Sequence, residues 1–234
     1  MSDDGPALSI VLPVYNEADN ITPVLRALAR AVRTSHEILI VYDFDEDTTV
    51  PVVRALAGEI PAARLVRNTR GRGVLAAMRA GIDASRGAFV LISMADGSDE
   101  PEVVDAMVAL AQDGADVVAA SRYMPGGRQL GGSRLKTLLS RAAGFTLHHI
   151  ARLPIHDATS NFRLYRRSFL DSVSIESRSG FELALELTVK AHRAGRRITE
   201  VPTTWRDRTA GASRFRLRKW LPQYLRWYLL AFRP

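Results

Sequence analysis

Residues 8–17, Leu-Ser-Ile-Val-Leu-Pro-Val-Tyr-Asn-Glu, decide the fold class of this chain. An almost continuous apolar run of this length predicts a buried β-strand, and Asp19 or Asn20 directly after it is placed to cap an amphipathic helix. The same alternation of apolar strand and helix continues to residue 120. Strands that are apolar throughout and separated by helices predict an α/β fold with a mostly parallel sheet flanked by helices.

The whole chain can be divided in this way into predicted elements. The predicted strands are 8–14, 36–42, 64–67, 88–94 and 115–120. The predicted helices are 19–33, a short one capped by Thr48 or Thr49, 74–84, one opening at 99–101, 135–150 and 181–194. Residues 124–133 contain four glycines and one proline, which predicts a mobile loop, and 197–201 and 203–206 are expected to be extended.

Ligands of such a sheet bind beyond the carboxyl ends of its strands, so the turns there carry the functional information. The turn from Pro13 to Glu17 contains no glycine. That excludes the Gly-rich loop with which dinucleotide-binding proteins hold a pyrophosphate. Four acids follow the second strand between Asp43 and Asp47. A charge run is ordinarily a solvated loop, but its position at a strand end predicts acceptors for a base or a ribose.

A second acidic turn follows the fourth predicted strand. Asp96 leaves that strand on a tight turn, and Asp99 comes three residues later. Carboxylates in such a place bind Mg²⁺ or Mn²⁺, and substrate phosphates often complete the coordination of the ion. Asp99 is equally well placed to cap the next helix. Asp96 is therefore the firmer metal candidate of the two.

Several motifs then occur in order along residues 8–215. They are 12–17, 41–48, 68–73 with Ala77 and Gly81, 120–123 with Gly126 and Gly127, Asp157 with Phe162 and Arg163, 180–182 with Glu186, and 200–202 with Arg208, Gly211, Ser213 and Arg214. Together they resemble family 2 glycosyltransferases of the GT-A (Rossmann-like) fold. The resemblance is strongest to the branch that transfers mannose or glucose to polyprenol (dolichol) phosphate.

The resemblance implies a nucleotide-sugar site and a divalent metal ion, Mg²⁺ or Mn²⁺. It assigns the donor to Pro13, Tyr15, Glu17, Asp43, Asp45, Gly71, Gly73 and Asp96, and the metal to Asp96 and Asp99. The chain departs from the family at three positions. Met94 replaces the first carboxylate of the usual Asp-x-Asp, Ser98 stands where the branch often has Gln, and Tyr42 stands where Asp is common. Altered contacts to the metal and the nucleoside are expected.

The implied reaction is the inverting transfer of a hexose from GDP-mannose or a UDP-sugar to polyprenyl (dolichyl) phosphate at the cytoplasmic membrane face. A phosphate monoester has a second pKa near 6, so it arrives as a charged nucleophile that needs cations and positioning rather than a strong base. Candidates for binding this phosphate are Arg122, Arg134, Lys136, Ser140, Arg208 and Arg214, and the catalytic candidates are Asp96, Asp157 and Arg122. For Asp157, an orienting role and proton transfer are both open.

The basic residues are concentrated at the C-terminus. The chain has a net charge of +7, yet residues 1–205 hold 24 basic and 24 acidic side chains, whereas residues 206–234 hold eight and one. All three Trp residues lie at or beyond position 205. This distribution argues against a nucleic-acid partner, which would require basic residues on the body. Residues 216–234 are expected to form an amphipathic interfacial helix that binds a membrane surface; the alternative is a helix packed on the body.

The remaining features define the expected organisation. Residues 1–215 are expected to form the catalytic domain, with a nucleotide-sugar half at about 8–120 and an acceptor half at 121–215. No secretory signal and no transmembrane run are recognised, which predicts a peripheral membrane protein, with a membrane partner subunit or a homo-oligomer as further possibilities. Two alternatives stay open, namely transfer to a polysaccharide and a catalytically weak homologue that only binds nucleotide-sugars.

Overall fold

The computed structural model of the protein describes residues 5–208 and 217–233. Its strands are β1 (Leu8–Pro13), β2 (His36–Tyr42), β3 (Ala63–Arg67), β4 (Phe89–Ile92), β5 (Val117–Ser121), β6 (Arg128–Leu130), β7 (Arg163–Arg166), β8 (Ile198–Pro202) and β9 (Thr204–Arg206). Its α-helices are α1 (Ala18–Ala31), α2 (Thr49–Ala55), α3 (Val74–Ala84), α4 (Val104–Gln112), α5 (Arg134–His149), α6 (Arg167–Ser172), α7 (Leu183–Arg193) and α8 (Leu217–Ala231).

Seven strands form the central sheet in the order β3-β2-β1-β4-β7-β5-β8. All neighbouring pairs are parallel except those of β7, which runs antiparallel to β4 and β5. The prediction of a mostly parallel α/β sheet is confirmed, but β7 was missed. Its sequence, Arg-Leu-Tyr-Arg, does not have the apolar character of a buried strand. The structure buries Arg163 completely because its guanidinium donates to the carbonyl of Ala184 and the hydroxyl of Thr188.

Alternate side chains of each central strand point to opposite faces of the sheet and build two cores. Ile10 and Leu12 pack with α1, α2 and α4 on one face. Val11 packs with α3, α5, α7 and α8 on the other. Helices therefore cover both faces, and the strand ends stay accessible for a site.

The Gly-rich segment 124–133 was predicted to be a mobile loop, and this is wrong in part. Its residues 128–130 form β6, which pairs in parallel with β9 to make a second, two-stranded sheet. Two strands of three residues each have no periodicity that a sequence can reveal, and their pairing joins positions about 76 residues apart. We refer to β6 and β9 together as the ribbon.

Helix α8 packs on the body and also exposes an apolar stripe. Its Trp227 is buried against the body, and the Tyr228 hydroxyl lies 2.8 Å from the Thr146 hydroxyl of α5. The opposite side exposes Leu221, Leu225, Leu229 and Phe232. Within the described residues, no helix combines the length and the apolar character needed to span a bilayer. One face of α8 therefore packs on the body, and the other is exposed and apolar. Both predictions for the tail, a packed helix and a membrane-binding helix, remain open.

Candidate active site

A cleft of about 810 Å³ lies at the carboxyl ends of β1 and β2 and at the start of α3. Five of the eight predicted donor residues line it, namely Pro13, Tyr15, Glu17, Asp43 and Gly73. The segment before α7 also lines the cleft, as does Arg208, which follows the ribbon. The sheet therefore places the predicted nucleotide-sugar residues around one cavity.

Asp43 stabilises the wall of this cleft through two hydrogen bonds. One carboxylate oxygen accepts a hydrogen bond from the backbone N–H of Gly73 (2.7 Å), and the other accepts from the Asn68 side chain (2.7 Å). Gly73 has a φ of +118°, which side chains other than glycine rarely adopt. Asp45 points away and pairs with Arg67 at 3.4 Å. The structure does not bring Asp45 into the cleft.

Gly71 also lies outside the lining, although it was a predicted donor residue. Its carbonyl accepts a hydrogen bond from Asn68, and its φ is +105°. Gly71 therefore shapes the turn that leads to α3 and does not face the cavity.

An aromatic pair stands at the mouth of the cleft. The rings of Tyr15 and Phe44 meet edge to face with their centroids 5.3 Å apart, and the Arg72 guanidinium carbon lies 5.7 Å from the Phe44 centroid. Tyr15 is 44% exposed. Flat, partly exposed rings of this kind offer a stacking surface to a nucleobase.

The acidic turn after β4 contains two neighbouring carboxylates with different partners. Asp96 accepts a hydrogen bond from the Arg208 guanidinium at 2.7 Å. Asp99 turns back and accepts from the Ser93 hydroxyl (2.8 Å) and the Met94 backbone N–H (3.0 Å). The helix-cap role considered for Asp99 is therefore wrong, because its carboxylate is used by the strand that precedes it.

The environment of Asp99 changes its acidity. Burial raises the pKa of Asp99 to about 7, with a further upward contribution from the Asp96 carboxylate. The Arg122 guanidinium acts in the opposite direction. The two predicted metal residues therefore lie close enough to influence each other, and Arg122 is within electrostatic reach of Asp99.

The carboxylates suit a divalent ion that is held only in part by the protein. Asp96 and Asp99 are the hard oxygen ligands that Mg²⁺ and Mn²⁺ prefer, whereas the thioether of Met94 is not. In the described part of the chain, His, Cys, Asp and Glu form no group of three or more that could hold a metal. The ion would take its remaining ligands from the donor diphosphate and water.

The acceptor-side candidates are organised around an ion pair between Arg122 and Asp157. The Arg122 Nε and Nη2 atoms donate to the two Asp157 oxygens at 2.6 and 3.0 Å. Nη2 also reaches the hydroxyls of Thr159 (2.9 Å) and Ser140 (3.3 Å), and the Tyr123 hydroxyl donates to Ser140 (3.0 Å). Arg122 Nη1 makes no hydrogen bond within the described residues.

Asp157 is fully buried and saturated with hydrogen bonds. Burial acts to raise the pKa of Asp157, but the Arg122 guanidinium and its hydrogen bonds outweigh this, and the pKa lies below its usual range. A buried, ion-paired carboxylate cannot contact substrate or take its proton. Of the two roles left open for Asp157, orienting and proton transfer, this geometry favours the orienting one, with Arg122 as the group that it positions.

The other acceptor-side candidates separate into groups. Ser140 contacts Arg122, whereas Arg134 is exposed at the start of α5 and Lys136 is half-buried one turn before Ser140. Arg208 lies with Asp96 on the donor side. Arg214 falls outside the described residues.

Sequence reasoning missed the segment before α7 as a wall of the site. Two fully buried carboxylates anchor it: Glu186 accepts from the backbone N–H groups of Glu176 (2.6 Å) and Ser177 (2.7 Å), and Glu182 accepts from those of Arg178 (3.0 Å) and Ser179 (2.9 Å). The motif with Gly180, Phe181, Glu182 and Glu186 was the available signal, but it gave no role. The two carboxylates bind backbone N–H groups and are buried, so they are not placed to contact a substrate.

Gly180 fixes this segment against α3. Its φ is +103°, and a Cβ atom built on it would lie 2.8 Å from the Leu75 nitrogen and 2.8 Å from a Val74 methyl carbon. Only glycine permits this approach. Arg178, two residues before Gly180, lines the same cleft as Asp43.

Comparison with characterised sequences identifies relatives along most of the chain. The model of "Glycosyl transferase family 2" matches residues 9–174. The polyprenol monophosphomannose synthase of Mycolicibacterium smegmatis is 32% identical over 211 residues, which cover 88% of this chain and 79% of that protein. The undecaprenyl-phosphate mannosyltransferase of Micrococcus luteus is 30% identical, with 87% and 85% covered. The dolichol-phosphate mannosyltransferase of Pyrococcus furiosus is 27% identical, and the match spans 62% of that protein.

Solved structures share the fold. Glucosyl-3-phosphoglycerate synthase from Mycobacterium tuberculosis, in complex with Mn²⁺, UDP and glucosyl-3-phosphoglycerate, has a TM-score of 0.70 at 19% identity, with 97% of this chain and 80% of that chain covered. A complex of the same enzyme with Mn²⁺, UDP-glucose and phosphoglyceric acid has a TM-score of 0.71 at 21% identity, with 97% and 80% covered. The expected GT-A architecture is thereby confirmed. Together with the family match, the identity to the mycobacterial synthase shows that the chain belongs to glycosyl transferase family 2 and is a glycosyltransferase.

Proposed function

We propose that the protein transfers a hexose, with inversion, from a nucleotide-sugar to a polyprenyl (dolichyl) phosphate. The observation that carries the proposal is the Arg122 site: a guanidinium fixed by buried Asp157 and surrounded by the hydroxyls of Ser140 and Thr159. Cations and hydroxyls recognise a phosphate, and Asp157 is unavailable as the base that a neutral hydroxyl acceptor would need. The names of the three sequence relatives, all of them mannosyl transferases or synthases for lipid phosphates, support this acceptor.

This reaction requires the protein mainly to position the two substrates and to compensate the negative charge of their phosphates. A phosphate oxygen of the acceptor attacks the anomeric carbon, the bond to the donor diphosphate breaks, and the configuration inverts. Arg122 Nη1 makes no hydrogen bond among the described residues, so it is available to hold the acceptor phosphate in line. A divalent ion at Asp96 and Asp99 would neutralise the departing diphosphate. The crystallised neighbour with Mn²⁺ and UDP is consistent with that ion.

The donor is proposed to be GDP-mannose, with a UDP-sugar as the alternative. The mannosyl transfer in the names of the relatives favours mannose. The UDP of the structural neighbours favours the alternative, but their identity to this chain is about 20%. The stacking surface of Tyr15 and Phe44 would accept either base.

The exposed apolar residues of α5 and α8 are proposed to rest on the membrane. Helix α5 exposes Leu135, Leu138, Leu139, Phe145 and Ile150, and α8 exposes Leu221, Leu225, Leu229 and Phe232. The two helices touch through Thr146 and Tyr228, and we refer to their exposed apolar side chains together as the lipid face. Ser140 is on α5, which places the phosphate site on the same helix. Helix α5 also carries Arg134, Lys136 and Arg141, and basic residues of this kind favour the anionic cytoplasmic leaflet.

A donor screen with farnesyl phosphate, a short polyprenyl phosphate, tests the proposed reaction. GDP-mannose, UDP-glucose and UDP-N-acetylglucosamine are each offered with Mn²⁺ or with a chelator, and the lipid product is separated. One donor is expected to give a glycosylated lipid that depends on the metal and disappears with Arg122→Gln. Nucleotide binding without product from any donor would instead support the weak, binding-only homologue.

A further inference from the structure

A second cavity, of about 330 Å³, lies where α7 meets the C-terminal half of α8. It shares no lining residue with the donor cleft. Its lining consists of Glu176 and Lys190 on one side and, from α8 and the turn after it, of Arg226, Trp227, Leu229, Leu230 and Arg233. We refer to it as the α7–α8 cavity. The proposed transfer reaction uses none of these side chains.

The α7–α8 cavity borders the lipid face. Arg226, Leu229 and Arg233 follow one another at intervals of three or four residues, which places them on one side of the helix. The Arg233 N–H donates to the Leu230 carbonyl (3.2 Å), so the last helical turn continues to Arg233. Leu229 is 56% exposed and belongs to the lipid face. Two guanidinium groups therefore flank an exposed leucine beside the surface that is proposed to meet the membrane.

The protein neutralises only part of the positive charge in this cavity. Lys190 is 17% exposed and contacts the buried Glu186 carboxylate at 2.7 Å, so its charge is already compensated. Glu176 is shared between Lys190 (2.8 Å) and Arg226 (2.5 Å). Within the described residues Arg226 uses only Nη2 in hydrogen bonds, and the exposed Arg233 side chain makes no hydrogen bond or ion pair. Both guanidinium groups therefore have N–H donors available for an anion.

The phosphodiester of a membrane lipid suits these donors. A guanidinium binds two phosphate oxygens at once, and a lipid phosphate would lie at headgroup level while its acyl chains lie beside Leu229. The Arg226 guanidinium carbon lies 4.5 Å from the Trp227 ring centroid, and this contact restricts its orientation. The Glu176 carboxylate disfavours headgroups that carry several negative charges. A phosphodiester with a single negative charge is the best match.

We propose that the α7–α8 cavity binds the phosphodiester headgroup of an anionic phospholipid such as phosphatidylglycerol, through Arg226 and Arg233. This lipid is neither the sugar donor nor the acceptor. It attaches the C-terminal end of α8 to the leaflet, whereas the exposed leucines alone would give contact without choice of headgroup. The inference rests on the proposed membrane contact, but it does not depend on which phosphate accepts the sugar.

Sedimentation of the full chain with vesicles tests the proposal. The vesicles contain phosphatidylcholine alone or with phosphatidylglycerol. Arg226→Lys/Arg233→Lys keeps both charges but removes the planar forks, so its binding to phosphatidylglycerol vesicles should weaken by about tenfold, the loss expected for about two hydrogen bonds. The matched control Arg134→Lys/Arg141→Lys makes the same exchange on α5 and should bind these vesicles as wild type does.

Three results would overturn the headgroup site. The first is wild-type binding by Arg226→Lys/Arg233→Lys, and the second is an equal loss in the α5 control, since either would indicate diffuse attraction between charges. The third is release of the protein from vesicles by glycerol phosphate at the concentration of the lipid phosphate, which would indicate a site for a soluble phosphate.

A turnover assay separates this site from the proposed function. Transfer to farnesyl phosphate in detergent, without phosphatidylglycerol, should be unchanged in Arg226→Lys/Arg233→Lys because neither residue lines the donor cleft. No transfer by wild type would refute the proposed function and leave the headgroup site standing. Equal binding of wild type to vesicles with and without phosphatidylglycerol would refute the headgroup site, whatever the reaction.

Discussion

Two arginine–aspartate pairs in this protein differ in how firmly they are held. Arg122 and Asp157 share two side-chain hydrogen bonds, and Asp157 is fully buried and also accepts from backbone N–H groups, including that of Arg122. Arg208 and Asp96 share one hydrogen bond, and both side chains keep some exposure. The first pair holds a cation in a fixed orientation at the proposed acceptor site. The second has the single contact expected of a pair that substrates can separate.

Breaking the fixed pair is expected to have the largest effect. Asp157→Asn leaves the Arg122 charge buried without its counter-charge, which should lower the free energy of unfolding by about 3–5 kcal/mol. Transfer to farnesyl phosphate should fall by about 10²-fold or more because the guanidinium loses its orientation. Urea unfolding and a turnover assay measure the two effects. Glu59→Gln, which breaks the exposed pair with Arg26, is the matched control and should leave urea unfolding nearly unchanged, because solvent screens an exposed pair.

Breaking the exchangeable pair should separate stability from activity. Asp96→Asn is expected to lower the free energy of unfolding by about 1–2 kcal/mol at most, because one partly exposed hydrogen bond is lost. Activity should nevertheless fall by about 10²–10³-fold, since charge on the leaving diphosphate is no longer compensated. The same urea and turnover measurements apply. A stability loss as large as that of Asp157→Asn would remove the distinction between the pairs.

The wall formed by the segment before α7 offers a third test. Gly180→Ala requires a left-handed backbone and places a carbon against the backbone of Leu75, so it should cost about 1–3 kcal/mol of unfolding free energy. The KM for the donor should rise more than kcat falls, because the wall of the cleft moves. Gly58→Ala is the control, since a Cβ atom there meets nothing within 4 Å and its φ is not left-handed. Unchanged donor KM in Gly180→Ala would argue against a donor site in this cleft.

The acidity of Asp99 predicts a pH dependence of stability. Its pKa is raised to about 7 from the ordinary value of 3.8, so the folded protein binds this proton more tightly than the unfolded chain does. The contribution to stability is full below about pH 4 and is lost as the pH rises through 7. The free energy of unfolding of wild type should therefore fall between pH 4 and 7 relative to that of Asp99→Asn. Parallel pH profiles of the two proteins would contradict the raised pKa.

The smallest effect on folding is expected on the lipid face. Leu225→Ser changes an exposed side chain, so the free energy of unfolding should stay within about 0.5 kcal/mol. Binding to vesicles that contain phosphatidylglycerol should weaken by about tenfold, because a leucine buried in lipid is worth about 1.5–3 kcal/mol. Trp227→Ala on the inner face of α8 is the contrast and should mainly destabilise the fold. Equal vesicle binding of wild type and Leu225→Ser would exclude this face as the membrane contact.

The sequence predicted the sheet and the donor cleft well because both depend on local patterns. The apolar runs of β1, β2, β4 and β5 marked the parallel strands, and the turns after them marked Pro13, Tyr15 and Asp43. The strand β7 was missed, since Arg163 is buried through hydrogen bonds that involve distant residues.

The contacts of Asp157 and Asp96 could not be predicted, because they too involve residues that are distant in the sequence. The motif around Asp157 left an orienting role and proton transfer both open, and the enclosure of its carboxylate, which favours the first, is visible only in the fold. The contact of Arg208 with Asp96 joins positions 112 residues apart. No local sequence pattern encodes such a pairing. The chemistry of the separate side chains suggested only that Arg208 binds phosphate and that Asp96 binds a metal ion.

The most direct test of the central claim is the identity of the product formed from farnesyl phosphate. The protein is incubated with Mn²⁺ and the active donor from the screen, with farnesol as the matched acceptor that lacks the phosphate, and the anomeric configuration of the product is read by NMR. The account predicts a sugar joined to the phosphate oxygen with inverted configuration, and no product from farnesol. Transfer to farnesol, or retention of configuration, would contradict it.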